Sequence, residues 1–155
     1  MGKPGSRYHL AVDANGAPLE VRLAGGNENE RLHLLPLVDA LIAREIRPGE
    51  VWADRGYDSA QLEQALRDRQ IQPRISKRRR PNQAAPAGQP TTEVWRGKKR
   101  QLKTRDHQAR HRWPVERTNA WLKANRRIAT RRDRKADNYL AFLHLGMILI
   151  LTSSL

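Results

Sequence analysis

The chain lacks several sequence features that would assign it to common classes of protein. It contains no cysteine, which excludes disulfide bonds and thiolate zinc sites and fits a reducing compartment. Its first ten residues, MGKPGSRYHL, have no apolar core, so no signal peptide is expected. The apolar stretch from Tyr139 to Leu151 contains His144 and is shorter than the roughly 20 residues that span a bilayer. We therefore expect a buried helix there and no membrane partner.

Acidic residues are also scarce relative to basic ones. The 155 residues include 30 Lys and Arg against 16 Asp and Glu, which gives a formal net charge of +14. A chain of this length forms one domain with a sizeable core, and a domain this basic usually meets a polyanion. Nucleic acid is the leading candidate. An anionic membrane surface is second, and it is disfavoured because the apolar carboxyl-terminal segment has no basic amphipathic pattern.

The first half of the chain predicts alternating strands and helices. Asn15-Gly16 separates two runs of alternating apolar residues, a pattern that predicts an antiparallel hairpin. Apolar residues at helical spacing follow between residues 34 and 42. The segment VWAD then predicts a short buried strand that ends at Asp54, and after another helix IQPRIS predicts a further strand. This order indicates an α/β fold.

Composition changes in the second half. Residues 77 to 100 are basic at both ends and rich in Pro, Gln and Ala in the middle, which predicts a flexible loop within a single domain of residues 1–155. Three helices are expected beyond this loop. One leads into Trp113, one opens at Pro114, where a proline suits the first helical position, and one runs from about Lys135 to Thr152.

One carboxylate lies among many cations in the segment HRWPVERTNAWLK, residues 111 to 123. A helix from Pro114 places Glu116 and Lys123 on the same face. Glu116 then has two interpretations: an acid in the first helical turn, favoured by the helix dipole and nearby arginines, or a metal ligand. Helix spacing alone favours the first. For Trp113 and Trp121, packing in the core or at an interface is favoured over stacking on bases.

Asp54 bears on the choice for Glu116. It ends a predicted strand, so its side chain would project from the carboxyl edge of the sheet, where ligands bind in open α/β folds. A strand-end aspartate and a helix-borne glutamate converging on that edge would suit hard divalent cations such as Mg²⁺. Two such ions, about 3.5–4 Å apart, activate a water or a 3′-hydroxyl and stabilise the leaving oxygen in phosphoryl transfer. A basic surface around an acidic metal site is what an enzyme that cuts DNA requires.

Four segments carry a resemblance to a known family. YHLAVDANGAPLEV, ADRGYDSAQL, RHRWPVERTNAWLK and DNYLAFLHLGMILI occur in the order, and at roughly the spacing, found in insertion-sequence transposases of the DDE type. The chain resembles the group with a ribonuclease H-like fold and a Y-R-E-K signature. Its Arg112, Glu116 and Lys123 match the R-E-K spacing, and Asp54 in ADRGYD matches the family's second aspartate. The resemblance covers nearly the whole chain and is weakest across residues 77 to 100.

This resemblance implies roles for the matching residues. Asp54 and Glu116 would be catalytic, metal-binding members of the DDE triad, with Mg²⁺ as cofactor and Mn²⁺ as a substitute. Arg112 and Lys123 would contact DNA phosphates close to the cut. The basic runs SKRRR, RGKKRQLK and RRIATRRDRK would be further phosphate-contacting surfaces, although as charge runs alone they could equally be solvated faces. Within or beside those runs, the residues expected to bind DNA are Arg117, Arg126 and Arg127.

The activity implied is DNA transposition. A protein of this family would cut double-stranded DNA at transposon ends and then join the freed 3′-hydroxyl to target DNA. It would work in the bacterial cytoplasm, associated with the nucleoid, and a dimer is compatible with that activity.

Two departures from the family pattern change what is expected of this chain. Ala109 stands where the signature has tyrosine. The family's first aspartate lies on a strand upstream of the hairpin, and Asp13, at the hairpin tip, is no replacement for it. We therefore expect an incomplete ribonuclease H-like α/β fold, truncated at the amino terminus and inactive alone. An upstream reading frame could supply the missing part, or the start could be wrongly assigned. The alternative is a decayed, non-catalytic basic DNA-binding remnant.

Overall fold

The computed structural model describes residues 5–77, 93–95, 98–100 and 109–153, and for 93–95, 98–100, 109, 110 and 112 it describes the backbone alone. Short paired strands and helices make up these parts of the chain. In chain order they are β1 (Ser6–Val12), β2 (Pro18–Gly25), α1 (Arg31–Ala43), β3 (Glu50–Ala53), α2 (Ala60–Asp68), β4 (Gln72–Ile75), β5 (Glu93–Trp95), β6 (Lys98–Arg100), α3 (Ala109–Ala124), α4 (Arg126–Ala129) and α5 (Ala136–Ser153). A 3₁₀ turn at Arg55–Tyr57 lies between β3 and α2.

The predicted amino-terminal hairpin is confirmed. Strands β1 and β2 pair antiparallel, with Leu10 opposite Val21. The turn between them is held by Asp13, whose Oδ1 accepts hydrogen bonds from the backbone N–H groups of Asn15 (2.9 Å) and Ala17 (2.7 Å). Aspartate is favoured in such turns because its side chain can bond to the backbone two residues on.

The two predicted short strands are also confirmed, and they form a parallel pair. Strand β3 pairs with β4 so that Ala53 lies opposite Ile75. Helix α2 connects them, as a crossover must where neighbouring strands run parallel. Asp54 therefore lies at the carboxyl end of the first strand of a parallel β-α-β unit.

No backbone ladder joins these two sheets among the described residues: β1 pairs with β2, and β3 with β4. Helix α1 connects the two, since it packs against the hairpin and against α2, and its Leu34 and Val38 share a hydrophobic cluster with Ala53 of β3. The mixed α/β class predicted from the sequence is confirmed. The arrangement is compatible with the ribonuclease H-like fold that the resemblance implies.

Two hydrophobic clusters stabilise the described chain. The first surrounds β3 and contains Leu34, Val38, Ala53, Leu62, Leu66, Ile71 and Ile75. The second joins the hairpin to the carboxyl-terminal helices and contains Val21, Leu122, Ile128, Tyr139, Leu143, Met147 and Ile150. Burial of these apolar side chains is the main favourable contribution to folding.

The segment predicted to be a flexible loop contains regular structure at its carboxyl end. Residues Glu93–Trp95 and Lys98–Arg100 pair antiparallel as β5 and β6. Composition did not indicate this hairpin. Residues 78–92, 96, 97 and 101–108 lie outside the described residues, so the flexibility of the segment stays a prediction.

The expectation of a helix opening at Pro114 is wrong. Helix α3 is continuous from Ala109 to Ala124, with Pro114 inside it. Proline lacks the N–H that would bond to the carbonyl of Arg110, so the helix loses one hydrogen bond near its start, where several N–H groups already lack intrahelical partners. A proline this early ends a helix less effectively than one in the interior.

Helix α5 is only partly buried, so the expectation of a buried helix is half wrong. Leu143 and Met147 face the core, whereas Leu145, Ile148 and Leu149 are 51%, 54% and 53% exposed. By length and composition alone α5 could cross a membrane, although the same holds for core helices of soluble proteins, and 28% of it is buried. The helix packs against β2, α3 and α4, which accounts for its buried side.

Helix α3 is anchored to the tip of the hairpin. The buried Thr118 donates from Oγ1 to the Gly16 carbonyl at 2.6 Å, and Arg117 donates to the Asn15 carbonyl. Gly16 has φ of +86°, and a β-carbon there would lie 2.6 Å from Nη2 of Arg117 and 3.3 Å from the Pro114 carbonyl. Only glycine accommodates both the conformation and the close approach of the helix.

Gly16→Ala is therefore expected to lower the free energy of unfolding by about 1–3 kcal/mol, the usual effect of placing a side chain in left-handed backbone. Thermal or urea denaturation measures it. Gly49→Ala is the matched control, because a β-carbon at Gly49 meets nothing within 4 Å. Equal stability of Gly16→Ala and Gly49→Ala would contradict the anchoring of α3 at the hairpin tip.

Candidate functional site

Asp54 lies where the sequence places it, directly after strand β3. Its backbone is extended, with φ of −78° and ψ of −179°, and it caps the 3₁₀ turn at Arg55–Tyr57. The side-chain Oδ1 accepts a hydrogen bond from the Gly56 N–H at 2.8 Å. The residue is exposed. Asp54 thus presents an oriented carboxylate to solvent at the carboxyl end of the strand.

A second carboxylate, which sequence reasoning missed, approaches the same turn. A β-carbon on Gly56 would overlap Oε2 of Glu30 and lie 2.9 Å from Oδ1 of Asp54, so the two acids converge above this glycine. Glu30 also accepts a hydrogen bond from Arg7 Nη1 at 2.8 Å, which compensates part of its negative charge. No local pattern marks Glu30, because its position depends on how the start of α1 meets the 3₁₀ turn.

A polar network supports the turn from the hairpin side. The Tyr57 hydroxyl lies 2.6 Å from Nδ1 of His9, a buried residue on β1. The His9 ring stacks on His33 with centroids 4.4 Å apart, and Nε2 of His33 lies 3.0 Å from Glu28 Oε2. These contacts connect β1 to the residue that closes the Asp54 turn.

Burial shifts the pKa of two members of this network, Tyr57 and His9. It raises the pKa of Tyr57, and the negative charges of Asp54 and Glu30 raise that pKa further. Burial also lowers the pKa of His9, and neighbouring His33 acts in the same direction. At neutral pH the tyrosine is therefore protonated and the His9 ring is uncharged, so the contact between Tyr57 and His9 joins two neutral groups.

Glu116 lies on the exposed side of α3. The helix meets β3 through a parallel stack of His111 on Trp52, with ring centroids 3.8 Å apart. Glu116 follows His111 by about 7.5 Å along the helix axis. Asp54 follows Trp52 by roughly 7 Å of strand. The two carboxylates thus lie on elements joined by this stack.

Direct contact between the two predicted metal ligands is not seen. No hydrogen bond links Asp54 to Glu116, and no group of three or more His, Asp or Glu side chains that could hold a metal ion occurs within the part of the chain that the structure describes. Their convergence on one ion stays a prediction.

The residues expected to bind DNA differ in their surroundings. Lys123 and Arg126 are exposed, and Lys123 shares the face of α3 that carries Glu116. Arg127 lies 4.2 Å from the Phe142 ring centroid and 3.5 Å from Oδ1 of Asp133. Arg117 is engaged with the hairpin, and the side chain of Arg112 lies outside the described residues. Lys123 and Arg126 are thus the members of this set with no such partner among the described residues.

The expectation of packing in the core is wrong for Trp113 and Trp121, and their packing at an interface stays a prediction. Trp113 is 58% exposed and Trp121 is 46% exposed, and both rings flank the guanidinium of Arg117. Hydrophobicity predicted burial for these rings, but their four-residue spacing from Arg117 places them on a face that meets neither hydrophobic cluster.

Comparisons with known proteins connect this geometry to a family. Residues 2–151 match the family described as "Transposase DDE domain". The chain is 42% identical over 160 aligned positions to the "Putative transposase for insertion sequence element IS402" of Burkholderia cepacia, a match that covers 99% of the chain and 65% of that protein. It is 34% identical over 76 residues to the "Transposase for insertion sequence element IS1106" of Neisseria meningitidis serogroup B, which covers 49% of the chain and 25% of that protein.

The chain spans less than two thirds of the length of each of these two relatives. No solved structure shows a significant match to it.

Proposed function

Because the chain belongs to the transposase DDE-domain family, we propose that it forms the greater part of a catalytic domain that binds transposon-end DNA and cleaves it with a divalent metal ion. The observation that carries the proposal is the family match across residues 2–151, together with an exposed Asp54 at a strand end and an R-E-K spacing carried by one helix. The ends and the target would be double-stranded DNA in the bacterial cytoplasm, at the nucleoid.

Asp54 and Glu116 would hold the metal. Both are exposed carboxylates, and their hard oxygen atoms suit Mg²⁺ or Mn²⁺. The bond from Gly56 N–H orients the Asp54 carboxylate before any ion binds. A bound ion would activate a water or 3′-hydroxyl and stabilise the leaving oxygen. Two acids fit the chemistry of such a site but leave it one carboxylate short, since the described residues contain no group of three.

Phosphate binding would fall to the cations around Glu116. Lys123 is exposed on the face of α3 that carries Glu116, and Arg126 is exposed at the start of α4. Arg112 would contact phosphates close to the cut, and Arg117 and Arg127 would contribute long-range attraction while holding their contacts within the protein.

The sheet supports the proposal that a strand bearing the first aspartate belongs beside β3. All four strands of the two sheets pair on one side only among the described residues, and the contact of His9 on β1 with Tyr57 in the turn after β3 holds the two sheets near each other. A strand from an upstream part of the protein, in the same chain or as a separate reading-frame product, would pair between them. A dimer is compatible with this arrangement.

A polypeptide of these 155 residues is therefore expected to bind transposon-end DNA without cutting it. A gel assay with labelled end DNA and Mg²⁺ or Mn²⁺ measures both properties. The matched control is the same chain joined to the upstream segment, in which we expect cutting to appear. Efficient cutting by the 155 residues alone would contradict the missing carboxylate.

A non-catalytic DNA-binding remnant is the alternative function, and the incomplete carboxylate set favours it over other candidates. The joined protein separates the two, because a remnant would bind DNA equally well and still fail to cut. Asp54→Asn and Glu116→Gln would abolish cutting in a working enzyme and change nothing in a remnant.

A further inference from the structure

Helix α3 exposes two indole rings with a cation between them. Trp113, Arg117 and Trp121 follow one another at four-residue intervals, so they form one stripe along the helix. The guanidinium of Arg117 lies 4.9 Å from the centroid of each tryptophan ring. We name these three residues the Trp113–Arg117–Trp121 stripe.

The stripe is held rigidly although it is exposed. Arg117 donates to the Asn15 carbonyl at the hairpin tip, which fixes the guanidinium in place. Each indole face then rests against a fixed cation, an arrangement that favours one ring orientation. Neither ring belongs to a hydrophobic cluster of the described residues. Large aromatic surface that the fold orients and leaves in water is typical of a binding surface.

The charge around the stripe indicates the class of ligand. Glu116 is the one acidic residue in the sequence of α3, and the exposed cations Lys123 and Arg126 follow the stripe on the carboxyl-terminal side. This surface attracts a polyanion and would repel a basic partner, including a second copy of a chain whose net charge is +14. Aromatic platforms beside cations are the means by which proteins bind single-stranded nucleic acid.

We infer that the Trp113–Arg117–Trp121 stripe binds unpaired bases of single-stranded DNA. The bases stack on the two indoles, and the neighbouring cations hold the phosphates. The rings are separated by about 12 Å along the helix axis, which a few nucleotides of one strand can cover. Bases inside a duplex already stack on each other, so the stripe selects strands that are open. The inference rests on the proposed function in taking DNA as the ligand.

The test compares three labelled oligonucleotides of equal length: a single strand of thymidines, a duplex, and a single strand with abasic sites. Wild-type chain is expected to prefer the thymidine strand to the abasic strand. Trp113→Ala and Trp121→Ala should each weaken binding to the thymidine strand by roughly 5-fold to 100-fold. Binding to the abasic strand and the duplex should change less than about twofold, because these ligands are held by charge.

Two control variants separate stacking from other effects. Trp113→Phe keeps an aromatic face and should retain most of the affinity for the thymidine strand. Leu32→Ala removes a side chain that is 66% exposed on α1 and should change no affinity. Circular dichroism of every variant checks folding, and exposed positions of this kind usually tolerate substitution.

Each contrary outcome overturns the inference in a distinct way. Equal loss of binding to all three ligands in the alanine variants would show that the two rings stabilise the fold or position the neighbouring cations, and do not stack on bases. A wild-type dimer that dissociates on Trp113→Ala and Trp121→Ala would assign the stripe to a second copy. If the wild-type chain binds the duplex but does not prefer the thymidine strand to the abasic strand, only the inference about the stripe is overturned. Failure to bind any of the three DNAs would overturn the proposed function as well.

Discussion

Duplex DNA is expected to lose about a thousandfold in affinity for this chain when the salt concentration rises from 50 to 200 mM, the loss for a protein that neutralises about six phosphates. The physical reason is release of counterions from DNA when cationic side chains replace them. The chain has the charge for this, with a net +14. Fluorescence anisotropy with a labelled duplex, repeated across salt concentrations, measures the slope.

Most of the exposed cations that form no ion pair with another described residue lie toward the carboxyl terminus, in α3, α4 and the segment before α5: Lys123, Arg126, Arg132, Arg134 and Lys135. The first half contributes two such cations, Arg22 and Arg47. Many arginines of the first half are already paired, and Arg69 is an example, with Nε 2.7 Å from Oδ1 of Asp39. The DNA-binding surface is therefore expected on the carboxyl-terminal side.

Matched substitutions locate that surface. Lys123→Gln and Arg126→Gln should each reduce the salt slope by about one unit, because each removes one phosphate contact. Arg69→Gln removes the same charge from the chain, but Arg69 already forms an ion pair with Asp39. This substitution should therefore leave the salt slope nearly unchanged. Equal effects at all three positions would show that net charge alone governs binding.

Mn²⁺ affinity is the second quantity on which a large effect is expected. Asp54→Asn and Glu116→Gln preserve the shape of each side chain and remove its charge. Loss of groups that merely support a metal ligand typically lowers metal affinity 10- to 100-fold. Loss of a ligand should lower it at least tenfold. Glu45→Gln, at an exposed acid in the loop after α1, is the matched control and should have no effect.

Much of the fold was predictable from the sequence because the patterns that specify it are local. Asn15-Gly16 between alternating apolar runs predicts a hairpin wherever the rest of the chain lies. The strand before Asp54 and helix α5 were likewise recognised from short apolar patterns. The predicted helix start at Pro114 is wrong because a proline marks a helix start only when the residues before it are not helical, and here the helix begins upstream.

The candidate site was less predictable because it depends on tertiary contacts. Glu30 reaches the Asp54 turn across Gly56 from a different element, and Tyr57 meets His9 from a strand 48 residues away in sequence. Residue type alone also gave the wrong environment for Trp113. Its position in the helix and its cation-π contact with Arg117 keep the ring at the surface, and hydrophobicity describes neither of these. The position of Asp54 could be predicted because the end of a short apolar strand is recognisable from a single sequence.

Titration of the purified chain with Mn²⁺, followed by electron paramagnetic resonance, tests most directly whether Asp54 and Glu116 hold one ion. We expect a single class of bound Mn²⁺ that disappears with Asp54→Asn and equally with Glu116→Gln, while Glu45→Gln retains it. If either substitution leaves that bound Mn²⁺ intact, or if each removes a different ion and spares the other, the two carboxylates do not share a metal and the proposed catalytic centre is wrong.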